Sequence, residues 1–352
     1  MSSISFTLLT IVLMLSALLV SVPTSAQDYD QLRKWCYDND TNDEQILKGC
    51  DAVIRSARES GSELAYAFAR RGQVHSRRGD NERALQDYTA AIALKPDFVV
   101  AFNNRGMVYD QLGQGDRAIE DFSQAIKLDL DYVLALDNRG LAYSQLKKYS
   151  LAIADFDRAI KLSPNDARLY GNRGLAYHRS GNPDRALEDY DRALQLKPDY
   201  VLVLANRAMA YQEKGQDDRA IEDCDRALKL DPNSDLALSS RAYAYMHRGQ
   251  FDRAIADLDR VLMLQPNDAV AYSDRAMVYA RKNKHDRAIA DFDRAIKLRP
   301  DFALAYVGRG LAYADKGEYD RAIADCDQAL KLQPGLPIAT ETRDALRKKR
   351  NQ

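Results

Sequence analysis

The sequence repeats itself every 34 residues. Copies beginning at residues 65, 99, 133, 167, 201, 235, 269 and 303 follow one another without an insertion. A fixed period of this length restricts a chain to a stacked array of one supersecondary unit, because each unit buries its apolar face only against its neighbours. Chain length alone would have allowed two or three globular domains. The eighth position of a copy is always small (Gly72, Gly106, Gly140, Gly174, Ala208, Ala242, Ala276, Gly310) and the eleventh is Tyr in every copy except the first, which has His75. The twentieth is Ala throughout, from Ala84 to Ala322. The twenty-fourth is Tyr88, Phe122, Phe156, Tyr190, Cys224, Leu258, Phe292 or Cys326, and the twenty-seventh is Ala except for Val261.

Positions 1, 4, 8 and 11 share one helical face, and positions 20, 24 and 27 share another. Position 15 holds Gly in six copies and Asn283 in the seventh, supplying the left-handed residue that ends a first helix. Lys147 occupies that slot in the third copy and must accept strain there or make a different turn. Position 32 is Pro in seven copies and Leu130 in the other, and the Pro stops the second helix. Each unit therefore reads as helix, tight turn, helix, turn, and the fold class is all-α.

This spacing of small residue, Tyr, Ala, aromatic, Ala and Pro resembles the tetratricopeptide repeat across residues 65–336, in eight copies: 65–98, 99–132, 133–166, 167–200, 201–234, 235–268, 269–302 and 303–336. The resemblance implies a right-handed α-solenoid of stacked helical hairpins, with the first helix of each lining a concave groove.

The ends differ from the array. Residues 6–22 are apolar apart from Ser and Thr, no charge precedes Asp28, and Thr24-Ser25-Ala26 offers small residues for cleavage. Residues 1–26 read as a signal peptide, with a retained anchor as the alternative, although no Lys or Arg precedes the apolar run. The protein is accordingly expected outside the cytoplasm, periplasmic or secreted. Residues 27–64 read as a degenerate capping repeat. Its Cys36 and Cys50 fall at facing levels of one hairpin, which in an oxidising compartment predicts a disulfide; two small core residues is the other reading. Residues 337–352 read as a solvating helix with Pro337 in its first turn and a basic tail, whose cations complement a helix C-terminus.

Acidic and basic residues nearly cancel, 52 against 51, so no net field favours nucleic acid or an anionic membrane. The remaining cysteines, Cys224 and Cys326, sit at core positions. His75, His178, His247 and His285 are scattered over four different repeat positions. No metal set, cofactor motif or nucleophile–base pair is readable, and the expectation is a non-enzymatic protein without cofactors.

Two rows recur in all copies: Arg at position 7, from Arg71 to Arg309, and Asp at position 23, from Asp87 to Asp325. A structural Arg–Asp pair repeated along the array explains them better than a basic ladder for an acidic ligand. Position 6 is more informative. Asn104, Asn138, Asn172 and Asn206 occupy it in four successive copies, followed by Ser240, Asp274 and Gly308. Asn is an indifferent helix former, and its amide pairs with a peptide backbone irrespective of side chain. The row resembles the asparagine ladder of O-linked N-acetylglucosamine transferase and the clamp repeats of co-chaperones, without the clamp's Lys and Arg set. The other reading is that Asn belongs to the local Asn-Arg-Gly idiom. Beside it lie Met107, Leu141, Leu175 and Met209 at position 9, and an aliphatic row at position 2; both rows suit adaptable peptide binding or packing between first helices.

The leading functional expectation is an exported scaffold that binds a peptide segment of a partner protein along Asn104, Asn138, Asn172, Asn206 and their apolar neighbours. Self-assembly through an end repeat, and a docking subunit of a secreted enzyme or polysaccharide assembly complex, are the rivals.

Overall fold

The computed structural model describes residues 26–350. The expected signal segment lies, up to residue 25, outside the described residues. The described residues form two compact units that divide between residues 164 and 165. The described residues contain nineteen helices and no strand, an all-α repeat solenoid. The first unit holds α1 (Ala26–Tyr37), α2 (Asp43–Ser56), α3 (Gly61–Arg77), α4 (Asn81–Leu94), α5 (Val99–Gln111), α6 (Gly115–Leu128), α7 (Val133–Gln145) and α8 (Tyr149–Leu162). The second holds α9 (Ala167–Arg179), α10 (Pro183–Leu196), α11 (Val201–Glu213), α12 (Asp217–Leu230), α13 (Asp235–His247), α14 (Phe251–Leu264), α15 (Ala269–Arg281), α16 (His285–Leu298), α17 (Ala303–Asp315), α18 (Tyr319–Leu332) and α19 (Pro337–Arg350).

Local chemistry ends each first helix. In all eight copies the N–H at position 16 donates to the carbonyl at position 11, from Asp80 to His75 at 2.9 Å through Glu318 to Tyr313 at 2.9 Å. This return bond needs a left-handed residue at position 15. Six glycines provide it, Asn283 adopts φ 57°, and Lys147 adopts φ 58°. Lys147 thus keeps the common turn and carries the strain. The second helices end at position 30 in every copy. Because α6 ends at Leu128 although Leu130 replaces the proline, Pro at position 32 reinforces a stop that the turn already makes.

Inside each hairpin the small residue at position 8 receives the side chain at position 24. A Cβ on Gly106, Gly140 or Gly174 would lie 2.7 Å from the ring of Phe122, Phe156 or Tyr190 respectively. Where position 8 is Ala208 or Ala242, the facing residue is the smaller Cys224 or Leu258, and all of these are buried. Large-to-small truncation at such a site costs about 3–5 kcal/mol for Phe.

Within each unit first helices of neighbouring copies touch, α3 with α5 and α5 with α7 in one, α9 with α11, α11 with α13 and α15 with α17 in the other. The second helices make no comparable contact with one another, so the first helices line the inside of each stack. At the N-terminal end Cys36 and Cys50 are joined as a disulfide between α1 and α2, both fully buried. The two helices approach so closely that a Cβ on Gly49 would lie 2.4 Å from the Leu32 carbonyl oxygen. At the other end α19 packs on α17 and α18 through Ala339 and Leu346. Its Arg343 and Arg347 reach Asp327 at 3.5 and 3.4 Å, and Arg350 reaches Asp320 at 3.1 Å.

Candidate peptide-binding face

The Arg and Asp rows are structural. Arg105 Nε and Nη2 donate to the two carboxylate oxygens of Asp121, each at 2.8 Å. The same fork recurs in every copy, for example Arg173 with Asp189 and Arg241 with Asp257. The aspartates are only 3–8% exposed. The remaining Nη1 crosses to the preceding hairpin, from Arg139 to Ser123 at 3.0 Å in the first unit and from Arg241 to Asp225 at 2.6 Å in the second. In the seven copies with Tyr at position 11 the arginine also lies beside that ring, as Arg241 does over Tyr245 at 5.7 Å, and Arg71 lies over Phe68 at 5.5 Å. The hydrogen bond that Arg241 donates to Asp257 raises the Arg241 pKa against the opposing effect of burial. These guanidiniums are committed on three sides and do not form a ladder for an acidic ligand.

The position-6 row divides. In the first unit Asn104 and Asn138 are half-buried, and a residue outside the expected set links them. Asn103, buried at position 5, donates to Asn104 Oδ1 at 3.3 Å and accepts from Asn138 Nδ2 at 3.0 Å. These amides therefore join neighbouring first helices. In the second unit Asn172 is half-buried, and Asn206 is withdrawn to 6% exposure. Position 6 packs against the position-24 side chain of the copy before it, which the sequence pattern of a single copy does not show.

The apolar rows remain on the surface. Met107 is exposed beside Val100 and Leu134 in the first unit; Leu141, Leu175 and Met209 are half-buried. In the second unit Leu202, Tyr243, Val270 and Met277 are exposed at the same repeat positions. Met209, Leu236 and Tyr243 line a groove of about 360 Å³ whose polar members are Gln212, Glu213, Ser239 and Ser240. Ser239 and Tyr243 also border a second, water-sized hollow of about 20 Å³ against Met277 and Asp274. Of Asn104, Asn138, Asn172, Asn206 and their apolar neighbours Met107, Leu141, Leu175 and Met209, only Met209 reaches this groove. The signal that could have found it was the larger Tyr at position 9 of the sixth copy.

Cys224 and Cys326 are buried, and burial pushes their thiols up, Cys326 to about 11. Among the described residues no three His, Cys, Asp or Glu side chains gather as metal ligands, and no helix is long and apolar enough to cross a membrane.

Tetratricopeptide repeat profiles match residues 99–132 and 201–234, 141–210 and 243–301, 224–256, and 273–337, and a TPR repeat profile matches 72–113. The chain belongs to the tetratricopeptide repeat family. Among solved structures, this tetratricopeptide repeat protein is similar to Cut9–Hcn1, an APC/C hetero-tetramer (14% identity, 91% of this chain and 87% of that one, TM-score 0.57). It is also similar to pilF of Pseudomonas aeruginosa (18% identity, 60% and 97% covered, TM-score 0.52). At these identities the likeness is one of fold. YrrB, described as a TPR protein with an unusual peptide-binding site, matches at 24% identity over 54% of this chain and 97% of its own, with a TM-score of 0.42. No curated protein matches the chain.

Proposed function

We propose that this tetratricopeptide repeat protein is an exported, non-enzymatic scaffold that holds a peptide segment of a partner protein against its first helices. The observation that carries this reading is the apolar row exposed on that face within each unit, Met107 and Leu134 in the first and Leu202, Tyr243 and Met277 in the second. Groove volume, flexible methionines and adjacent polar groups suit a side chain and its backbone. The buried Cys36–Cys50 bond supports an oxidising compartment, and hence export. The helix pair α1–α2 and the helix α19 act as caps. On α19, Asp344 and Arg347 stand where other first helices carry the small residue and the Tyr that receive a second helix, which disfavours growth by stacking at that end.

The test is paired capture from the native compartment with wild type and with Leu134→Ser/Leu202→Ser, both exposed residues. Loss of the captured protein at unchanged melting temperature is expected. Undiminished capture by the variant counts against the groove. The same experiment with Asn138→Ala separates roles, because the Asn138 amide bonds Asn103 and its loss is expected to lower stability as well.

A further inference from the structure

Asp274 is the acidic residue of the second unit's groove that the fold does not neutralise. It stands at position 6 of the seventh copy, where four earlier copies carry Asn. Its side chain borders the hollow formed with Ser239, Tyr243 and Met277. Burial, and then the neighbouring carboxylate of Asp268, raise its pKa to about 6. Asp268 is itself engaged as the cap of α15, accepting from the Val270 and Ala271 amides.

Several cations of the flanking helices hold other carboxylates. Arg241 and Arg275 clasp Asp257 and Asp291. Lys282 pairs with Asp252, and Arg248 meets Asp218 at 2.6 Å. None of these is an ion-pair partner of Asp274. At the far end of the adjoining groove is a second carboxylate, Glu213, half exposed, with His178 Nε2 at 2.9 Å. Between the two carboxylates lie the apolar Met209, Leu236 and Tyr243. A carboxylate withdrawn from water without a counter-ion is unfavourable in the free protein and gains when a ligand cation reaches it.

Resting on the groove reading above, we infer that the second unit's groove selects a basic peptide segment, an aliphatic side chain lying on Leu236 and Tyr243 and a Lys or Arg side chain reaching Asp274. The aliphatic stem of Lys or Arg matches the apolar path to the carboxylate. Charge complementarity decides for a basic segment over a neutral or acidic one, since an acidic ligand would meet the unpaired carboxylate of Asp274.

Fluorescence anisotropy on the full chain tests this with three labelled peptides of Leu and Ala carrying, at fixed positions, Lys, Gln or Glu. The Lys peptide is expected to bind about ten-fold more tightly than the Gln peptide, the Glu peptide most weakly, and the preference to shrink with added salt. Asp274→Asn installs the residue native at four other copies, so folding is retained. It is expected to remove most of the Lys preference while leaving the Gln peptide unchanged. Equal binding of Lys and Gln peptides, or a preference that survives Asp274→Asn, overturns the inference. If both peptides bind alike and both are lost in Leu236→Ser/Tyr243→Ser, the groove reading stands without the charge preference. Absence of binding by all three peptides overturns the basic-segment inference, and the capture experiment then judges the groove by itself.

Discussion

The ring of Phe292 rests on Gly308, at which a Cβ would lie 2.4 Å from the ring Cζ. Position 8 of the Phe292 hairpin is Ala276, where the hairpins of Phe122 and Phe156 have glycine. The ring accordingly presses on the next repeat, and position 6 of that repeat gives up its side chain. Gly308→Ala gains about 1 kcal/mol of helix propensity and loses about 1–3 kcal/mol to overpacking. We expect net destabilisation in chemical denaturation, and recovery on adding Phe292→Leu, the type of residue already at position 24 in Leu258. A stabilised Gly308→Ala would show that the ring moves aside freely.

The Arg105–Asp121 pair is not an ordinary surface ion pair, since Asp121 is buried and held by two bonds. Asp121→Ala is expected to cost about 3–5 kcal/mol by leaving a buried cation. Arg105→Ala with Asp121→Ala should show coupling of about 1–3 kcal/mol. Coupling near zero would return the row to the class of solvated pairs.

Asp274 gives a pH dependence whose sign follows from its raised pKa of about 6. The folded protein holds the proton more tightly than the unfolded chain, whose carboxyl titrates near 3.9. Folding stability therefore falls as pH rises through the window between those two values, and the penalty is complete above about 6. Asp274→Asn is expected to stabilise the fold at neutral pH by about 1–3 kcal/mol, read as a higher melting temperature, and to change it little below about pH 4. A variant with the same benefit at both pH values would place the effect elsewhere.

Lys147 pays a left-handed backbone penalty that glycine avoids in six other copies. Lys147→Gly is expected to stabilise the first unit by about 1 kcal/mol, read as a higher urea midpoint with an unchanged slope. A fall in midpoint would mean that unfolded-state entropy outweighs the relieved strain.

Oxidised protein alkylated without reductant should carry no label at Cys36 and Cys50, by intact mass and peptide mapping after denaturation. Labels at both sites would exclude the bond. Replacing both residues by Ser removes a cross-link spanning 14 positions, and should cost about 3 kcal/mol in the first unit.

The sequence by itself determined the hairpins. Turn signals, the 3.6-residue period and the small residues at positions 8, 20 and 27 act within 34 residues, and each repeat meets the same neighbours, so local chemistry recurs as global order. The Arg–Asp fork was legible for the same reason, but its burial was not, because exposure depends on the adjoining hairpin. The groove was only half legible. A one-dimensional pattern places Asn104, Asn138, Asn172 and Asn206 on one face, and the tertiary structure decides what stands opposite each. It ties Asn138 to Asn103, buries Asn206 and leaves Tyr243 exposed. It also sets Asp274 beside Met277 and Tyr243 without a cation. Those outcomes rest on distances between helices of different repeats, and side-chain volume in one copy, as at Phe292, alters the room available in the next.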